Sequence, residues 1–181
     1  MDYAAAILSL YPDAIPLVDF ALAKPWGAPV EILKWNAAKL GPQPTLAQLE
    51  AAWPAAQLQA AQITQRALIN ASAVAAMTGG FQSSALGTAY TYPSTLTDQH
   101  NLNGSVVASL LPNLPSTWTT PFWCMNSSGT WAMVQHTAAQ IQQVGLDEKA
   151  WIVSCQEKLA GLNAQIAAAQ TVSGVQAITF S

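Results

Sequence analysis

The residues that could carry acid–base or metal chemistry are few, and their spacing keeps them apart. His100 and His136 are the only histidines, and no cysteine or carboxylate stands three or four residues from either. Metal ligands on one helix need that spacing. Asp98 comes two residues before His100, which would place the two side chains on different faces of a helix. The sequence therefore predicts neither a metal site nor a catalytic histidine.

The neighbouring carboxylates Asp147 and Glu148 are equally unsuited to catalysis. General acid–base catalysis needs groups that converge in a pocket, whereas adjacent residues of a helix point apart. The chain contains no Gly-x-Ser-x-Gly turn, and no Gly-Lys-Ser or Gly-Lys-Thr follows Gly79-Gly80. A hydrolase nucleophile and a phosphate-binding loop are thus not indicated. We predict a protein that is not an enzyme and needs no cofactor, with a wall hydrolase as the least favoured class.

The charge of the chain excludes further classes of partner. Charged residues make up 8% of the 181 residues, and between Arg66 and Asp147 the only fixed charge is Asp98. Nucleic-acid binding needs clustered Lys and Arg, and the six basic residues form no cluster. No apolar run reaches the roughly 18 residues of a membrane helix. A neutral, aromatic surface instead favours contact with other proteins, because little charge must be desolvated.

Two further sets of residues leave alternatives open. Cys124 and Cys155 are expected to be buried thiols, although the sequence also permits a disulfide between them. Trp118, Trp123 and Trp131 cluster around one predicted hairpin. Such residues pack in a core or form an aromatic contact surface, either for a protein or for a sugar ring.

Periodicity and turn residues predict an α+β fold that is mainly helical, with small β-hairpins and a long C-terminal helix. Residues 1–53 read as a small N-terminal α+β module. Its last helix opens at the capping box Thr45-x-x-Gln48 and ends at Trp53. Residues 54–181 read as a domain of helices and two hairpins, in which Pro54 begins a new helix.

The second predicted domain contains hairpins at 81–92 and 122–134, with a helix at about 97–111 between them. Thr137-x-x-Gln140 is another capping box, which opens the long helix to about Gln170. Two rows of residues recur there every seven positions: Gly145, Ile152, Leu159 and Ile166, and Glu148, Cys155, Leu162 and Ala169. Either this helix packs on its own domain, or it forms a coiled coil with a partner or a second copy.

Two segments carry a family resemblance. The first runs from Ala89 through Tyr90-Thr91-Tyr92 to Gly104, and the second contains Pro121-Phe122-Trp123-Cys124, Gly129-Thr130-Trp131 and His136-Thr137. From about Arg66 to Phe180 the chain resembles a domain of unknown function found in tail-associated proteins of bacteriophages and prophages. The N-terminal module resembles the leaders of small phage proteins that are encoded near tail fibre genes.

The resemblance implies a tail-associated protein without known catalytic residues. It suggests a non-enzymatic protein that binds the tail fibre or baseplate, either as a structural adaptor in the virion tail or as a fibre assembly factor in the host cytoplasm. The alternative is a receptor-binding module that contacts host glycans through its aromatic residues. Self-association through the C-terminal helix is a further expectation. The residues that we expect to contact a partner are Tyr90, Tyr92, Trp123, Trp131, Ile152, Leu159, Leu162 and Ile166.

Overall fold

The computed structural model describes residues 1–181 and has the predicted α+β fold, with 52% of residues in helices and 17% in strands. The chain forms two compact units. The first contains Met1–Arg66 and Gln165–Ile178, and the second contains Ala67–Ala164 and Thr179–Ser181. The expected division after residue 53 stays a prediction. No helix has both the length and the apolar character needed to cross a membrane.

The secondary structure begins with α1 (Tyr3–Leu10), β1 (Phe20–Ala23), β2 (Glu31–Trp35), α2 (Ala37–Leu40) and α3 (Leu46–Thr78). It continues with β3 (Phe81–Ser83), β4 (Tyr90–Tyr92), α4 (Leu96–Ser109), β5 (Thr119–Met125), β6 (Trp131–Thr137), α5 (Ala138–Ala168) and α6 (Val172–Gln176).

A single helix, α3, replaces the two helices that were expected on either side of Pro54. The predicted capping box is present, since the Gln48 amide donates to Thr45 Oγ1 and the Thr45 amide donates to Gln48 Oε1. Pro54 lies inside the helix and removes one backbone hydrogen bond. The Ala-rich sequence on both sides has high helix propensity, which offsets the cost of about 3 kcal/mol for an interior proline.

The core of the first unit is formed where α1, the β1–β2 hairpin and the start of α3 meet. Its buried residues are Ala6, Ile7, Ala14, Phe20 and Leu49. Asp2 caps α1 by accepting hydrogen bonds from the amides of Ala4 and Ala5.

A buried carboxylate, Asp19, organises the loops of this unit. It accepts hydrogen bonds from Lys39 Nζ, from the Ile15 amide and from Asn36 Nδ2, the last two at 2.9 Å. These bonds, with that from Lys39 first, lower the pKa of Asp19 to about 2 against the opposing effect of burial. The carboxylate therefore stays ionised at neutral pH and joins the chain before β1 to α2.

The second unit is built on an antiparallel sheet with the strand order β3-β4-β5-β6. Its buried core comprises Phe81, Tyr92, Leu102, Phe122, Cys124, Ile141 and Val144, which come from the sheet, α4 and α5. Both capping boxes at the helix starts are formed, by Thr95 with Asp98 in α4 and by Thr137 with Gln140 before α5. Cys124 and Cys155 are buried, unpaired thiols, which agrees with the expectation of buried thiols.

Helices α4 and α5 approach closely at Gly145. A β-carbon built on Gly145 would lie 2.8 Å from Cγ2 of Val106, well inside van der Waals contact. One turn earlier in α5, Gln142 Nε2 donates to Ser109 Oγ at 3.1 Å. Helix α4 of the same chain thus packs against α5 at the place where the heptad pattern begins.

Burial along α5 fits a helix that packs on its own chain. Cys155 is buried in the second unit, where Ile152, Leu159 and Leu162 are half-buried. Ile166 is fully buried in the first unit. Self-association through this helix stays a prediction.

Candidate partner-binding surface

The site begins with the tight connection between β5 and β6. Asn126 Oδ1 accepts hydrogen bonds from the amides of Ser128 and Thr130, both at 3.0 Å. Gly129 adopts a φ of +79°, which glycine reaches without the steric cost that a β-carbon would add. Asn126-Ser127-Ser128-Gly129 therefore fixes the register of the hairpin that the sequence predicted.

The outer face of this hairpin exposes large apolar side chains. Trp123 and Met133 face each other across the two strands, and their side chains are 50% and 51% exposed. Trp131 pairs with Met125 one step closer to the turn and is 45% exposed. The hairpin from Thr119 to Thr137 contains no Asp, Glu, Lys or Arg. The result is an exposed aromatic surface without fixed charge, which we call the outer face and define by Trp123, Trp131 and Met133.

The inner face of the hairpin is held by a buried hydrogen-bonded pair. His136 Nδ1 lies 2.9 Å from the carbonyl oxygen of Val134, so this nitrogen must carry the proton and donate. His136 Nε2 then accepts from the hydroxyl of Tyr92, also at 2.9 Å. Burial lowers the pKa of His136 and raises that of Tyr92, so both side chains are neutral at pH 7.

The structure separates the predicted contact residues into exposed and buried sets. Trp123 and Trp131 lie on the outer face, and Tyr90 is half-buried beside the core. Tyr92 and Ile166, by contrast, have no exposed surface. Neither can touch a partner directly, because their side chains fill the interior instead. Partner contact by the remaining residues stays a prediction.

A groove runs between α4 and the β5–β6 hairpin, with a volume of about 470 Å³. Asn101 and Ser105 of α4 line one side, and Trp123 lines the other. The one carboxylate at the groove, Asp98, has an oxygen committed to capping α4 through Thr95. The complete lining consists of Asp98, His100, Asn101, Gly104, Ser105, Ala108, Thr120, Pro121, Phe122, Trp123 and Met133.

Sequence reasoning missed the contribution of Met133 to the outer face. A signal was available in the period-two alternation from Trp131 to Gln135, which places Trp131, Met133 and Gln135 on one side of the strand. The groove had no comparable signal, because α4 and β5 come together only through the packing of the second unit.

Comparison with protein families gives two matches along the chain. Residues 3–61 match the family described as XkdW protein, which is phage-associated. Residues 57–179, about two thirds of the chain, match the family described as a domain of unknown function, DUF4376. No curated protein and no solved structure matches. The first match supports the phage part of the resemblance, and neither match specifies a tail fibre.

Proposed function

The chain belongs to the DUF4376 family and is phage-associated through its XkdW match, and on this basis we propose that it is a non-enzymatic tail protein that binds the tail fibre or baseplate. It acts either as a structural adaptor in the virion or as an assembly factor for the fibre. The observation that carries this proposal is the uncharged outer face, on which two tryptophans and a methionine are about half exposed.

The composition of the outer face suits a protein partner. Interface centres are enriched in Trp and Met and depleted in charged residues, and buried tryptophans dominate the energy of many interfaces. Trp123 and Met133 form a direct cross-strand pair, which holds the two side chains side by side on a rigid hairpin. A partner that covers this pair would bury apolar area without desolvating a fixed charge.

The proposal is tested with Trp123→Ser and Trp131→Ser and the purified tail fibre and baseplate proteins of the same phage. We expect each substitution to weaken binding by about tenfold or more, since truncation of a buried interface tryptophan costs on the order of 2 kcal/mol. Biolayer interferometry would measure the dissociation constants. Trp26→Ser is the matched control, because Trp26 is fully exposed and belongs to the first unit.

Unchanged binding in both variants would contradict the proposal that the outer face binds the partner. An equal loss of binding in Trp26→Ser would also contradict it. A truncation after Val134 would not test partner binding by itself, because it also removes Ile141 and Val144, which belong to the core of the second unit. Point substitutions at half-exposed positions leave that core intact, and circular dichroism would verify this.

The two versions of the proposal differ in where the protein ends up. A structural adaptor remains in the finished particle, whereas an assembly factor is absent from it. Mass spectrometry of purified virions therefore separates an adaptor from an assembly factor.

A second candidate function is the binding of host glycans, and the groove beside α4 favours it. Sugars are commonly held by an aromatic ring against one face, with amides and hydroxyls bonding to their hydroxyl groups. Trp123 supplies such a ring, and the side chain of Asn101 lies across the groove from it. With no Lys or Arg among the lining residues, a neutral sugar is the ligand class that fits.

Glycan-array binding by the intact protein tests this candidate. We expect Trp123→Ala and Asn101→Ala each to lower the affinity for a neutral glycan by about tenfold, since each removes one contact worth about 1–2 kcal/mol. Trp131→Ala is the control, because Trp131 does not line the groove. A loss of glycan binding with Trp131→Ala alone would rule out the groove as the glycan-binding site. The absence of glycan binding by the wild type would also rule it out.

A further inference from the structure

Strand β6 forms an open edge of the four-stranded sheet. It follows β5 as the last strand in the sheet order and is seven residues long. Edge strands in natural proteins are usually protected by charged side chains, proline or a bulge. β6 contains no Lys, Arg, Asp, Glu or Pro, and its register against β5 is uninterrupted. None of these three devices against edge-to-edge pairing is present in β6.

The register shows which backbone groups of β6 point outward. The Asn126 amide donates to the Thr130 carbonyl, so these two residues form a hydrogen-bonded pair next to the turn. Bonded and non-bonded pairs alternate along an antiparallel ladder. Trp131, Met133 and Gln135 consequently occupy non-bonded positions, and their N–H and C=O groups face away from β5. Pro121, which pairs with Gln135 and has no N–H, agrees with this assignment.

The same three residues also place their side chains on the outer side of the sheet. Gln135 is exposed, and Met133 and Trp131 are about half exposed. None of their backbone groups has a backbone partner outside the hairpin. The edge therefore presents alternating donors and acceptors with a neutral, largely apolar row of side chains beside them.

We propose that β6 pairs antiparallel with β6 of a second copy of this chain, about a two-fold axis at Met133. In that arrangement Met133 faces Met133 of the other copy, and Trp131 faces Gln135 on either side. Each facing pair exchanges two backbone hydrogen bonds, so the junction contains about six. The two four-stranded sheets join into one continuous sheet across the axis.

Charge explains why a second copy fits this edge. A two-fold contact sets every residue near the axis close to its own equivalent, so charged residues there would repel. Here the chain has no fixed charge from the residue after Asp98 to the residue before Asp147. Self-pairing thus meets no like-charge repulsion along the strand. The neutral Met133 and Trp131 gain apolar contact at the same time.

Sedimentation equilibrium of the full chain tests the proposal. We expect the wild type to be a dimer at about 100 μM, a concentration that detects even weak association. Met133→Lys and Met133→Glu should each weaken dimerisation by at least about tenfold, because each places two like charges opposite one another. An equimolar mixture of the two variants should dimerise again, since Lys then faces Glu across the axis.

The mixture distinguishes this pairing from other arrangements, and circular dichroism verifies that both variants fold. A wild type that stays monomeric would overturn the proposal, as would a dimer that Met133→Lys leaves intact. Failure of the mixture to associate would overturn the axis at Met133. The oligomeric state is measured without the fibre and is therefore independent of the proposed function.

Discussion

Replacing Tyr92 with alanine is expected to lower the free energy of unfolding by about 3–5 kcal/mol, the range for loss of a fully buried aromatic ring. The Tyr92 ring has no exposed surface and stacks between Phe81 and Phe122, with centroid distances of 5.6 Å and 6.4 Å. Its removal leaves a cavity at the centre of the second unit, and it also takes away the donor to His136.

Tyr92→Phe separates the two contributions. It keeps the ring but leaves His136 Nε2 as a buried acceptor without a donor, which should cost about 1–3 kcal/mol. Urea unfolding monitored by tryptophan fluorescence would measure both variants, and Tyr90→Phe is the control because Tyr90 is only half-buried. A Tyr92→Phe variant as stable as the wild type would mean that His136 does not depend on the Tyr92 hydroxyl.

Gly145→Ala should destabilise the second unit by about 1–3 kcal/mol, the usual cost of overpacking a helix contact. In an open helix the same change would stabilise the protein by about 1 kcal/mol, because alanine has the higher helix propensity. Here the added methyl group would stand 2.8 Å from Cγ2 of Val106, a β-branched side chain with few rotamers that packs against the core. The steric cost therefore exceeds the gain in propensity.

The chain provides a matched control for this prediction in the same helix. Gly161 of α5 has no atom within 4 Å of the position of an added β-carbon. Gly161→Ala should therefore raise the free energy of unfolding by about 0.5–1 kcal/mol in the same assay. Adding Val106→Ala to Gly145→Ala should recover part of the loss, because it removes the clashing methyl group. Equal effects of Gly145→Ala and Gly161→Ala would show that α4 does not confine Gly145.

The features that the sequence predicted correctly are local ones, whose structure is determined by residues a few positions apart in the chain. The capping boxes at Thr45 and Thr137 and the turn from Asn126 to Gly129 need only neighbours in the chain. A short-range pattern is therefore enough to place the helix starts and the β5–β6 hairpin. The absence of Lys and Arg near the hairpin is likewise a property of the sequence, and it already indicated an uncharged surface.

The features that the sequence did not predict depend on distant residues. Tyr90 and Tyr92 lie two residues apart in β4 and therefore share one face, but this spacing could not tell that the face is the inner one. Pro54 is an exception, because it looked like a boundary although the Ala-rich sequence on both sides locally favours one continuous helix. Gly145 belongs to one row of the heptad pattern, but the pattern could not show that this glycine allows α4 to approach α5.

The charge distribution has a practical consequence for detecting this protein in particles. Trypsin cleaves only after Lys and Arg, and none occurs between Arg66 and Lys149. Digestion therefore leaves the whole four-stranded sheet in one long peptide, 67–149, that standard proteomics recovers poorly. Tryptic detection of this protein in virions therefore depends on the shorter flanking peptides, such as 150–158, and chymotrypsin, which cleaves beside the aromatic residues, is needed to cover the sheet.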